Sequence, residues 1–192
     1  MRTNWAKVPL SAIVLFLGIL FFVLANRAPA RIAACEYPQS VARPGVPEKL
    51  SAPPGETVVL QTHATGFQVY VCQAGIDQKL AWILKAPDAE LFDANGKSIG
   101  KHYAGPTWKL TDGSEVVGKA IAKEDSPSGA IPWLLLTAVS HSGNGVLTTV
   151  TSIQRIHTEG GQPPVSGCDR PHIGTETKSK YSADYYFYRS NH

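Results

Sequence analysis

From residue 56 onward the chain alternates short apolar stretches with turn residues, a pattern that predicts an all-β domain. Residues 57–63 and 67–73 read as two strands joined by a hairpin at Ala64-Thr65-Gly66. A third strand over 80–85 is followed, after Pro87-Asp88, by a fourth over 90–93. Asn95-Gly96 and Asp112-Gly113 are hairpin dipeptides, since both residue types accept the positive φ of a tight turn. The second is flanked by strand patterns at 107–111 and 115–123. Residues 131–140 (IPWLLLTAVS) are apolar nearly throughout, as in a central strand buried on both faces. Gly143-Asn144-Gly145 then turns the chain into a Thr/Val/Ile-rich strand over 146–158, and 181–188 (YSADYYFY) forms a last, aromatic strand. Beyond the N-terminus, no stretch of ten residues has helical spacing without Gly or Pro. The expected fold is therefore a single antiparallel β-sandwich or partly closed β-barrel of about eight to ten strands.

The segments before this domain differ in kind. Residues 8–25 form an uncharged apolar run of 18 residues, preceded by Arg2 and Lys7. A secretory core is about 7 to 15 residues and a spanning helix roughly 17 to 25, so residues 1–34 are read as a signal peptide or N-terminal membrane anchor helix. Ala28-Pro29-Ala30 offers a cleavage site, and Ile32-Ala33-Ala34-Cys35 resembles a lipobox that would make Cys35 a lipidation site. Cleaved export is the reading taken; an uncleaved anchor and a lipoprotein stand as alternatives. All three put the body outside the cytoplasm: periplasmic, secreted or anchored on the outer side of the membrane. Residues 35–55 carry five prolines between 37 and 55 and read as an extended arm, leaving 56–192 as the β domain.

Charge and cysteines sharpen this picture. Of 18 Lys+Arg, four lie in the first 34 residues, which hold no acid, so the rest of the chain has 14 bases against 15 acids. A near-neutral body argues against a nucleic-acid binder, whose affinity rests on a clustered basic face. Membrane contact is expected only through the N-terminal segment. Three cysteines allow one disulfide. Cys72, in an apolar strand, is paired with Cys168, in a Pro/Gly-rich segment, because an oxidising compartment disfavours free thiols. The single Met is the initiator, so the core must pack with branched and aromatic side chains.

The densest group of reactive side chains lies in residues 100–114, GKHYAGPTWKLTDGS. His102 and Tyr103 precede an Ala-Gly-Pro corner and Trp108 follows it, a set that could line a pocket with flat apolar surface and a titratable nitrogen. The plainer account makes Trp108 core and His102 a satisfied turn residue. Arg155 and His157, two apart in a strand, would share a face and could hold an anion, or form a solvent-facing strip. Asp184 shares a face with Tyr186 and Tyr188, and Arg155 is the candidate partner for a structural ion pair with it. The six His residues (63, 102, 141, 157, 172 and 192) show no metal-ligand spacing, and no metal or other cofactor is expected. Asp112-Gly113-Ser114 lacks the G-x-S-x-G elbow of a nucleophilic serine. No G-x-G-x-x-G follows a strand, which excludes an NAD-dependent dehydrogenase.

Taken in order, FQVYVCQ, LFDANGKSIGKHYAGPTW, DGSEVVGK, AIPWLLLTAVS, IQRIHTEGGQPP, GCD and YSADYYFY resemble the secreted family known as domain of unknown function DUF3455. The resemblance runs from about Phe67 to Tyr188. It implies an exported all-β domain without an established activity, and cysteines at the positions of Cys72 and Cys168 support their pairing. Where the family pattern has Asn-Thr, this chain has His157-Thr158, so no role for His157 is carried over. Some fungal relatives bear a malate dehydrogenase label, which this chain's lack of a dinucleotide cradle does not support.

The leading expectation is a non-enzymatic exported β domain binding a small molecule, glycan or cell-envelope component near His102, Tyr103 and Trp108, with Arg155 and His157 as further candidates. One alternative is an extracytoplasmic enzyme, metal-dependent or an acid/base hydrolase using His102 with Asp112 or Asp184. Another is a structural envelope protein without a ligand, which predicts a filled interior and no cleft at HYAGPTW.

Overall fold

The structure, a computed structural model, describes residues 41–191. The N-terminal apolar run and Cys35 lie outside the described residues. Eight antiparallel strands follow one another: β1 (Glu56–Ala74), β2 (Leu80–Phe92), β3 (Ser98–Tyr103), β4 (Thr107–Leu110), β5 (Glu115–Glu124), β6 (Trp133–Ser142), β7 (Ser152–Gly160) and β8 (Glu176–Ser190). Each pairs with the next, and β8 pairs back with β1 from Glu56↔Ser190 to Val71↔Glu176. The sheet is thus a closed barrel, and neither a sandwich nor a partly open one.

Two strands run through positions that read as breaks. The hairpin expected at Ala64-Thr65-Gly66 is absent, and β1 continues through it, paired with β2 on one side and β8 on the other. Gly66 serves close approach rather than a turn: a Cβ there would lie 2.3 Å from the Asp88 carbonyl oxygen. Pro87 sits inside β2 because β3 pairs with β2 only at Ala89–Phe92, which leaves an edge where proline is tolerated. The apolar run of β6 is buried only in part, with Leu135 and Leu136 covered and Val139 exposed. Val146–Thr149 forms a 3₁₀ turn ahead of β7 instead of strand.

The barrel's inner and outer faces both bury apolar side chains. Along β8, Tyr181, Ala183, Tyr185 and Phe187 enter the interior core, while Tyr186 and Tyr188 join Val58, Ile156 and Ala52 in a second cluster. Residues 41–55 cover that second cluster. Leu50 is fully buried, its carbonyl accepts the Gln154 amide, and the Gln154 carbonyl oxygen accepts the Tyr188 hydroxyl. Arg43 lies 5.5 Å over the Tyr188 ring and donates to the carbonyls of Ala52, Pro53 and Glu56. The described part of the Pro-rich arm is therefore seated on the barrel wall, and it is not extended throughout, since Glu48–Leu50 forms a 3₁₀ turn.

One barrel end is closed by the β4–β5 turn. The Asp112 carboxylate accepts from the Ser114 N–H and hydroxyl at 2.8 and 2.6 Å and from the Val146 N–H at 3.0 Å. Ser114 Oγ in turn accepts from the Leu147 N–H, and Leu147 and Val150 fill the interior beneath. Burial raises the Asp112 pKa, but these hydrogen bonds outweigh it and leave the carboxyl below its ordinary value. Near the other end, Cys72 and Cys168 form a disulfide with Cα atoms 5.2 Å apart. It ties β1 to the segment before β8, whose backbone also bonds Cys72 through Thr175 and Gly174.

That second end is also where the wall is incomplete. The β3–β4 hairpin is short: β4 pairs with β5 only from Thr107↔Val117 to Lys109↔Glu115. Beyond it, residues 80–88 of β2 and 119–124 of β5 have no strand between them. The result is a notch in the barrel wall, with Ala104-Gly105-Pro106 at its base and exposed Leu84 and Ile121 on its two sides.

Candidate functional site

A cavity of about 280 Å³ lies beneath the notch. Its polar and aromatic wall comes from five strands: Gln68 of β1, His102 of β3, Trp108 of β4, Arg155 of β7 and Tyr185 of β8. Leu84, Pro87, Leu134 and Leu136 supply apolar surface.

His102 and Trp108 are cross-strand partners, so period-2 alternation points both inward. Their rings stack at 4.4 Å and 11°, and Tyr185 meets the indole edge-on at 5.3 Å. This packing needs Gly118, because a Cβ there would come within 3.0 Å of the Trp108 ring. His102 Nδ1 lies 2.9 Å from the Thr107 carbonyl, which can only accept, so Nδ1 carries the proton and Nε2 is an acceptor. Burial pushes the His102 pKa down to about 3; the Thr107 bond opposes this and the charge of Arg155 adds to it. The imidazole is neutral at any physiological pH.

Arg155 is, with Lys85, one of two cations lining the cavity. Its Nε and Nη2 donate to the Pro132 carbonyl at 3.2 and 2.8 Å, and among the described residues it has no carboxylate partner. Burial raises the Tyr185 pKa, with Arg155 and the Tyr181 hydroxyl pulling the other way, yet neither reaches the Tyr185 hydroxyl in hydrogen-bonding geometry. The Trp108 indole N–H and the Gln68 amide nitrogen are likewise buried without a partner. Buried polar groups are almost always hydrogen-bonded; these three atoms are on lining side chains, and four more without a partner, on Glu56, Thr62, Trp133 and Tyr181, lie on residues outside the lining.

The sequence candidates separate accordingly. His102, Trp108 and Arg155 meet in the cavity. Tyr103 does not: one residue on from His102, it faces outward and donates to Glu115 at 2.7 Å. His157 and Arg155 do not share a face either. His157 has φ of +48°, and the β7–β8 register shifts between Ile156 and Glu159, a bulge that turns the imidazole outside. There His157 and His63 donate from Nδ1 to the two oxygens of Asp184, at 2.9 and 2.8 Å. The expected Arg155–Asp184 ion pair is therefore not formed: Arg155 pairs in register with Tyr185 and Ile156 with Asp184, so the two charges face opposite sides of the sheet. Nor is His102 joined to a carboxylate, since Asp184 is outside and Asp112 clamps the far end. Among the described residues no group of three His, Cys, Asp or Glu could hold a metal ion.

Two cavity residues were missed in the sequence. Gln68 was visible as a lone polar residue in an apolar strand, FQVYV, and Tyr185 as a member of the face it shares with Tyr181 and Phe187. A family model described as protein of unknown function, DUF3455, matches residues 53–189. The chain belongs to the DUF3455 family. The DUF3455 match runs from ahead of β1 to the penultimate residue of β8, and so takes in both cysteines of the disulfide and every residue of the cavity. No curated protein and no solved structure matches the chain.

Proposed function

We propose that the protein is a non-enzymatic, exported binding protein that holds a small organic molecule, free or as part of a cell-envelope component, inside the barrel. The observation that carries this reading is the notched cavity beneath HYAGPTW, lined by side chains whose polar atoms lack partners. A ligandless structural protein would gain from filling that space and pairing those atoms. Catalysis is not favoured, because the one imidazole in the cavity is neutral and bonded to a backbone carbonyl instead of a carboxylate or nucleophile. Export is supported by the N-terminal apolar run and by the disulfide, which is consistent with an extracellular location.

A thermal-shift screen of small organic molecules tests this. A ligand at 100 times its Kd is expected to stabilise by about 2.7 kcal/mol, a midpoint rise of roughly 5 to 10 °C. Ala120→Trp puts an indole at an exposed lip of the notch and is expected to abolish the shift while leaving the unliganded midpoint nearly unchanged. Equal shifts in the parent and Ala120→Trp proteins would place binding elsewhere and refute the cavity reading.

A further inference from the structure

The cavity's electrostatics narrow the ligand class, an inference that rests on the binding function just proposed. Its charged lining consists of Arg155 and Lys85, with no acid. Lys85, at the mouth, is already paired with Glu176. Arg155 has no such partner. Of the five N–H groups of a guanidinium it uses two on the Pro132 carbonyl; the group also stands close to the Tyr185 hydroxyl, and Arg155 lines the cavity. Arg155 is partly buried and has no carboxylate partner among the described residues, and a ligand carboxylate can accept two parallel hydrogen bonds from a guanidinium edge. The Trp108 indole N–H, the Gln68 amide nitrogen and the Tyr185 hydroxyl belong to lining side chains and lack partners, but each of these atoms is sealed from the solvent-accessible space. The rest of the lining is apolar or aromatic, and about 280 Å³ lies just below the ~300–1,000 Å³ of pockets that hold drug-sized molecules.

We propose that the ligand is a small organic acid, a single carboxylate on a compact apolar body, with the carboxylate on Arg155 and the body against Trp108, Leu134 and Leu136. The geometry orients it with its head inward and its body under the notch between β2 and β5, where Leu84 presents an apolar lip.

Isothermal titration of the natively exported protein with octanoate and 1-naphthoate, against octanamide and 1-naphthamide, tests the class. At least one acid is expected to bind tenfold or more tightly than its amide. Arg155→Gln should erase that preference and Arg155→Lys should retain most of it; circular dichroism of both variants checks that they fold. Amides binding as tightly as acids, or a preference that survives Arg155→Gln in the folded variant, would overturn the anion assignment and leave the cavity function standing. Failure of all four probes to bind would overturn the anion assignment, while the broader screen with Ala120→Trp decides the cavity function separately.

Discussion

Replacing Cys72 and Cys168 together with Ala is expected to lower the thermal unfolding midpoint by roughly 8 to 15 °C. The disulfide closes a segment of 96 residues, holding most of the barrel in one loop. Removing a cross-link over a loop of that length costs about 4 to 5 kcal/mol in the chain-entropy account and about 2 to 5 kcal/mol in practice. The bond also pins the segment before β8, which otherwise meets β1 and β2 there through the Cys72 backbone and the Trp82 indole bond to the Ser166 carbonyl at 2.8 Å. Scanning calorimetry with and without reductant reads the effect in the parent chain. An unchanged midpoint under full reduction would show that the closed sheet needs no staple.

The second large effect is loss of stability in acid through His102. The folded-state pKa is depressed from 6.5 to about 3, so the unfolded chain takes up a proton that the barrel refuses. The corresponding stability is complete above pH 6.5 and is lost progressively as pH falls toward 3. At pH 4 the deficit amounts to about 3 kcal/mol relative to pH 7.5. His102→Gln removes the titrating group and should flatten the profile over that range, although Asp112, whose pKa is also lowered, continues to weaken the fold at lower pH. Urea unfolding of both proteins at pH 7.5 and pH 4 isolates the difference. If the two lose the same stability between these pH values, His102 is not buried in neutral form.

The all-β class was legible from local composition and turn residues, the disulfide from the oxidising compartment, and the nearness of His102 and Trp108 from the Ala-Gly-Pro corner between them. Barrel closure was not. It rests on pairing between β1 and β8, more than a hundred residues apart, and a sandwich has the same alternation. The continuity of β1 through Ala64-Thr65-Gly66 escaped notice because a glycine that permits close strand approach looks the same as one that permits a turn. The Arg155–His157 face was misjudged for a related reason: alternation assumes an unbroken strand, and Ile156-His157-Thr158 contains no glycine to announce a bulge. Tyr103 could have been separated from His102 by alternation alone. The notch was beyond reach of the sequence, since it follows from how far two neighbouring strands outrun a four-residue β4.

Indole N–H resonances provide the most direct test of ligand binding inside the barrel. Trp108 is buried in the cavity wall with its N–H unpartnered, Trp82 bonds the Ser166 carbonyl outside the cavity, and Trp133 packs in the outer cluster under residues 41–55. In a nitrogen-15 correlation spectrum, adding a small organic acid should shift the Trp108 indole signal and leave those of Trp82 and Trp133 in place. Movement of Trp82 or Trp133 with Trp108 unchanged would mean that whatever binds does so outside the barrel, contradicting an interior site.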